Sequence, residues 1–292
     1  MGLQSVISYL VLSAVTKSHG RREAEQVEHS LHRTRDLVRT RDAVVFGLAK
    51  LAESRDPDTG QHLERIAYYS QQLARAAAQA APYKNEITRT FIRSVGVSSA
   101  LHDIGKVAVE DSILLKPGKL IPEERSEMQQ HAEVGARCIH QIASRLGESN
   151  FLQMAEDIAS YHHEGWDGSG YPYGLAGKQI PLSARIVAIA DVYDALSVKR
   201  VYKETLPHDE CVEIIRSLSG TKFDPALVDV FLQVEHEFRR IAVEFTDSEE
   251  HDHAEANSKE SIAFTIVAAR QERIVSSVLD SQPEEEMALA VS

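Results

Sequence analysis

Apolar residues recur every three or four positions along most of this chain, the spacing of a helical face at ~3.6 residues per turn. From Ala24 to Ala52 a heptad can be written. Ala24, Leu31, Val38, Val45 and Ala52 fall at one seam position, and Val27, Thr34, Arg41 and Leu48 at the other. Thr34 and Arg41 dilute the second position, so two readings stand: a helix packed on its own domain, or a connector that pairs two subunits. Pro57 and Gly60 break the pattern. Helical spacing resumes at His62 in "HLERIAYYSQQLARAAAQ" and again in "TRTFIRSVGVSSALHDIG". Pro122 followed by Glu123 and Glu124 marks another helix start. "FLQMAEDIASYHHE" predicts a helix stopped by Gly165, and Ser183 is placed to cap "ARIVAIADVYDAL". No series of alternating strands is written anywhere, so the predicted fold class is all-α.

The same pattern predicts three regions: an N-terminal connector over 1–53, a helical domain over 54–235, and an acidic linker with a tail over 236–292. "DSEEHDHAEANSKE", from Asp247, reads as a solvated, mobile tract, and Ile262 to Leu279 as a last helix. His251 and His253 belong to that tract and read as chance polar residues rather than a metal site. The apolar run from Leu3 to Val15 is too short to span a bilayer, so no membrane span is expected.

Composition narrows the function. The formal net charge of −12 excludes a basic nucleic-acid face, so no nucleic-acid polymer is expected as a partner. Cys138 and Cys211 form no paired motif, which fits a reducing, cytoplasmic setting. The 13 histidines are more informative, because several fall beside aspartates on apolar faces.

Asp191 follows a run of Ile, Val and Ala that belongs inside, where a carboxylate is costly without a cation. His102 and Asp103 likewise follow small apolar residues. His62 opens a helix, His131 lies on the helix begun by Pro122, and His162 and His163 end another. Taken singly, each is most simply a satisfied structural residue. As a set of imidazoles and carboxylates without thiolates, they suit first-row ions such as Fe, Mn, Zn or Ni. Neighbours on a helix point about 100° apart, so His162 and His163 can share one ion only where the helix frays. Asp103 has two oxygens and can bridge two ions, an arrangement that serves phosphoryl transfer.

"HDIGK" (His102 to Lys106) resembles the core motif of HD-superfamily phosphohydrolases, and "HHEGWDGSGYP" (His162 to Pro172) resembles the extended motif of the HD-GYP subfamily. The similarity runs from about Ala43 to Phe231. It implies a bacterial cyclic di-GMP phosphodiesterase that yields pGpG and, in some members, GMP. It implies metal ligation by His62, His102, Asp103, His131, His162, His163 and Asp191, with two or three divalent transition-metal ions, Fe or Mn. Asp58 stands where some members place a glutamate that holds a third metal. Arg200 and Lys203 match phosphate-contacting cations. Asp103 and Lys106 are expected to act in catalysis, with Tyr171 lining the substrate mouth. Glu164 and Asp167 are expected to orient histidines or tie the turn together. Implied partners are cyclic di-GMP, a second copy through the N-terminal helix, and diguanylate cyclase domains. Two alternatives remain: a phosphohydrolase for another cyclic dinucleotide or nucleotide, and a catalytically silent cyclic di-GMP sensor.

Overall fold

Helix-favouring spacing becomes helix almost wherever the sequence calls for it. The computed structural model describes residues 3–55, 61–147, 150–198 and 205–255, with side chains between 26 and 245. In order these hold α1 (Leu3–Glu53), α2 (His62–Ala77), α3 (Arg89–Ser99), α4 (Asp111–Leu114), α5 (Pro122–Leu146), α6 (Asn150–Tyr161), α7 (Leu182–Ser197), α8 (His208–Ser217) and α9 (Pro225–Glu255). Tight helical turns cover Ile104–Ala108 and Gly177–Gln179. No strand forms among the described residues; only two isolated bridges do, Asp167 with Ala176 and Ser219 with Phe223. The all-α class is observed. The chain divides into two compact units between Val44 and Val45, and the helices from α2 to α9 belong to the unit that begins at Val45.

The helix starts follow their local chemistry. Thr88 caps α3, its Oγ1 accepting the Phe91 amide at 3.1 Å. Pro122 opens α5, and Glu124 reaches back to accept the Ile121 amide at 2.9 Å. Two expectations change. Ser183 does not cap α7: Pro181 holds that position and Ser183 lies buried within the first turn. The α9 backbone continues through Phe231 and into the acidic tract as far as Glu255, and up to Phe245 the apolar spacing of Phe231, Phe238, Ile241 and Phe245 keeps one face in the core. The predicted helix over 262–279 lies outside the described residues.

Helix α2 is the central element, packed on α3, α7 and α9. One core cluster gathers Ile66, Tyr69, Leu73, Ile189, Tyr193, Phe231 and Phe238 around it. Tyr69 stacks on Phe238 with ring centroids 4.7 Å apart. A second cluster holds Phe46 and Ala49 of α1 together with Leu63, Ala67, Ala100, Ile139, Ala155 and Ala159. Its alanines let α3, α5 and α6 approach closely, which brings the ends of those helices together. Phe46 and Ala49 fix how the end of α1 is turned. Leu31, Val38, Val45 and Ala52 of the written seam are half-buried. The strongly exposed apolar residues of α1 are Leu37, Val44, Leu48 and Leu51, at 71%, 54%, 56% and 69%. The solvent-facing apolar residues therefore keep the second position of the written heptad, at Val27 and Leu48, and replace the first by Leu37, Val44 and Leu51, one residue earlier.

Candidate metal centre

Four of the five predicted histidines sit where a helix starts or just past where one ends. His62 is the first residue of α2. His102 and Asp103 follow α3, which stops at Ser99, and precede the tight turn that begins at Ile104. His131 projects from within α5. Helix α6 ends at Tyr161, so His162 and His163 lie just past it, where the rigid 100° offset no longer applies. Donor atoms of Asp103, His131, His162 and His163 consequently lie within 4.8 Å of one another.

One glycine sets the depth of the HD turn. A Cβ on Gly105 would lie 1.9 Å from the His131 carbonyl oxygen and 2.6 Å from the Gly135 amide. Only a residue without a side chain lets this backbone touch α5, and that contact brings Asp103 beside His131.

Three of the histidines are oriented by the same device. His102 Nδ1 bonds the Ser99 carbonyl at 2.9 Å, His131 Nδ1 the Met128 carbonyl at 2.7 Å, and His162 Nδ1 the Ile158 carbonyl at 2.9 Å. A carbonyl only accepts, so each Nδ1 carries the proton. Each Nε2 then faces the centre, and all three are buried without a hydrogen-bond partner. His62 is held by a carboxylate instead: its Nδ1 lies 2.6 Å from Asp194 Oδ2, while Arg65 Nε donates to Asp194 Oδ1 at 2.6 Å. Burial would raise Asp194, but His62 and Arg65 hold it well below the usual carboxylate range. Burial lowers His62, and the Asp194 charge more than offsets that.

Asp103 faces both ways. Its Oδ1 lies 3.2 Å from His131 Nε2 and 3.6 Å from His162 Nε2. Its Oδ2 lies 3.2 Å from His102 Nε2 and 2.8 Å from Lys106 Nζ. Asp191 Oδ1 lies 4.0 Å from His102 Nε2. Burial opposes ionisation of Asp103, yet Lys106 and His102 keep it charged well below its ordinary range. Burial holds His162 and His163 neutral, with His163 far below its usual value. Burial pulls His102 down, but Asp103 beside it pushes it up to about 9; this face of the cluster demands positive charge. Buried, orphaned Nε2 atoms converging on a two-faced carboxylate fit divalent ions.

A cleft of about 340 Å³ opens onto the cluster, within the range of small-molecule sites. Glu53, Lys106, Met128, Tyr171 and Asp191 line it, with His62, Asp103, His131 and His163 on its floor. Tyr171 stacks on His163, centroids 4.6 Å apart at 30°. The loop that carries it is tied down by Glu164, which accepts the Tyr173 amide at 2.8 Å and the Leu175 amide at 3.0 Å. Asp167 Oδ1 accepts the Ser169 amide at 2.9 Å. Both acids therefore tie the turn. Gly170 must be glycine, because a Cβ there would lie 2.2 Å from the Gly165 amide nitrogen.

A family model of the HD domain matches residues 47–227, more than half of the chain. The chain belongs to the HD domain family. In this HD domain the pair that defines the motif is His102–Asp103, the pair at the centre of the cluster. A probable cyclic di-GMP phosphodiesterase of Vibrio cholerae is 48% identical over 220 residues, 75% of this chain and 50% of that protein. A cyclic di-GMP phosphodiesterase of the same organism is 46% identical over 224 residues, 76% of this chain and 46% of that protein. The 3'3'-cGAMP-specific phosphodiesterase 2 of Vibrio cholerae is 42% identical over 212 residues, 73% and 38% respectively. The chain spans about half the length, or less, of these curated relatives.

The HD domain brings together His62, His102, Asp103, His131, His162, His163 and Asp191, with Lys106 and Tyr171 at the cleft. Asp58, Arg200 and Lys203 lie outside the described residues. Sequence reasoning missed Asp194, Glu53 and Lys222. The signal for Asp194 was present: it follows the same apolar run as Asp191, and of the two it is the deeply buried one. Lys222 Nζ donates to the His163 carbonyl at 2.9 Å and the Glu164 carbonyl at 3.3 Å, which no local pattern foretells.

Proposed function

We propose that this HD domain is a metal-dependent phosphodiesterase that hydrolyses cyclic di-GMP to pGpG or GMP in bacterial cytoplasmic second-messenger signalling. The observation that carries it is the two-faced Asp103 at an open cleft: one oxygen addresses the orphaned Nε2 of His102, the other those of His131 and His162. His62, His102, Asp103, His131, His162, His163 and Asp191 would hold Fe or Mn ions, with Asp58 as a further candidate. Such ions supply Lewis-acid activation of water and stabilisation of charge on phosphate oxygens. Asp103 orients the cluster. Lys106, ion-paired to Asp103, presents positive charge at the cleft beside a departing oxygen. Tyr171, braced on His163, offers a face on which a guanine can stack. Arg200 and Lys203 are assigned phosphate contacts, with Arg suited to a bidentate grip.

The second substrate reading is 3'3'-cGAMP, favoured by the relative specific for it. The test is anaerobic purification, loading with Mn or Fe, and chromatography of cyclic di-GMP and 3'3'-cGAMP supplied separately. Conversion of cyclic di-GMP to pGpG or GMP supports the proposal, and conversion of cGAMP alone moves the substrate. No turnover of either with metal bound favours a silent sensor. Asp103→Ala should lose bound metal and turnover together.

The partner assignments follow from surface features. No helix among the described residues is long and apolar enough to cross a membrane. Leu37, Val44 and Leu51 recur every seven residues of α1 with Leu48 between, a stripe suited to a coiled coil with a second copy. The exposed Tyr173, beside Tyr171, offers a surface for a diguanylate cyclase domain.

A further inference from the structure

We infer that Glu53, in the last turn of α1, is a carboxylate ligand of the ion position served by His62 and His102. This rests on the cluster being a metal centre, as proposed above, and not on which dinucleotide it cleaves. Donor atoms of Glu53, His62 and His102 lie within 4.8 Å of one another. Ligand bonds of about 2.1 Å put opposite donors of one ion roughly 4.2 Å apart, so a closing-in of a few tenths of an ångström completes the set. His102 is fully buried, and its Nε2, aimed into this space, has no hydrogen-bond partner. His62 is locked by Asp194 through Nδ1, which leaves Nε2 for the same space. Imidazole Nε2 has a single lone pair, so His102 serves one ion. Asp103 Oδ2 and Asp191 Oδ1, at 3.2 and 4.0 Å from His102 Nε2, belong to that ion as well. Four carboxylate and imidazole residues thus surround the position, and Glu53 closes its α1 side. Glu53 is half-buried and lines the cleft, where a desolvated carboxylate needs a cation.

The other position, formed by Asp103 Oδ1, His131, His162 and His163, does not involve Glu53. The inference therefore separates the two ions. The experiment is Mn titration of the full chain, read by metal analysis after desalting and by the electron paramagnetic resonance of free Mn. Wild type, Glu53→Gln and Asp58→Asn are compared, with circular dichroism confirming the fold. Glu53→Gln keeps size and removes charge, so one of the ions should weaken at least tenfold or be lost while the other stays. Asp58→Asn should leave that ion in place. A Glu53→Gln isotherm superimposed on wild type overturns the inference. So does loss of the ion in Asp58→Asn with retention in Glu53→Gln. A wild type that binds no Mn or Fe overturns the metal-centre reading itself, whereas metal uptake without dinucleotide turnover overturns the phosphodiesterase reading and leaves the Glu53 ligand standing.

Discussion

Asp194 Oδ2 lies 2.6 Å from His62 Nδ1, and the same carboxylate takes Arg65 on its other oxygen. A buried ion pair thereby aims one histidine at the metal centre. Asp194→Asn should keep the shape but lose the charge that fixes the His62 ring, lowering metal affinity by about 10- to 100-fold. Asp194→Ala should also remove a buried carboxylate partner from Arg65 and cost about 3–5 kcal/mol. Metal titration and urea denaturation separate the two effects. An Asn variant with unchanged metal affinity would show that His62 needs no orientation.

Gly105 makes the second prediction. Gly105→Ala forces a Cβ into the α5 backbone, so it should destabilise by about 2 kcal/mol or more and reduce bound metal. Gly47 is the control: exposed on α1, with nothing within 4 Å of its built Cβ. Gly47→Ala should stabilise by about 0.5–1 kcal/mol. Equal effects from the two substitutions would refute the close-approach argument.

Removal of metal should weaken the fold. His102 Nε2, His131 Nε2, His162 Nε2 and Asp103 Oδ1 are buried without hydrogen-bond partners, and an ion bound only to the folded state adds about 2.7 kcal/mol at a hundredfold excess over its Kd. Chelation should lower the melting midpoint by several degrees, and Mn should restore it. A midpoint indifferent to chelator and Mn would contradict the ligand assignment.

Asp224 tests the scaffold away from the metals. Its Oδ2 accepts from Arg185 at 2.6 Å and from the Tyr83 hydroxyl at 2.8 Å, while Oδ1 accepts the Ala226 amide at 3.1 Å at the start of α9. Asp224→Ala should cost about 3–5 kcal/mol in denaturant unfolding, because Arg185 is buried. Asp224→Asn should cost less, since the amide oxygen still accepts.

The sequence by itself determined the helices, the all-α class and the chemistry. Apolar spacing is a local property, and a carboxylate or imidazole on an apolar face marks itself out wherever it falls. Asp103, His131, His162, His163 and His102 were legible on that ground, and the ordered motifs supplied the family. The tertiary structure decided which donors share an ion, because that depends on where helices end. Helix α6 stops at Tyr161, one residue before His162, and this frees two adjacent histidines to converge. It also decided that Asp194, rather than Asp191, is the buried member of its run, since burial follows which side of α7 meets α2. Glu53 had no local signal at all. It lies in a connector by pattern, and only the packing of Phe46 and Ala49 turns its carboxylate toward His62 and His102.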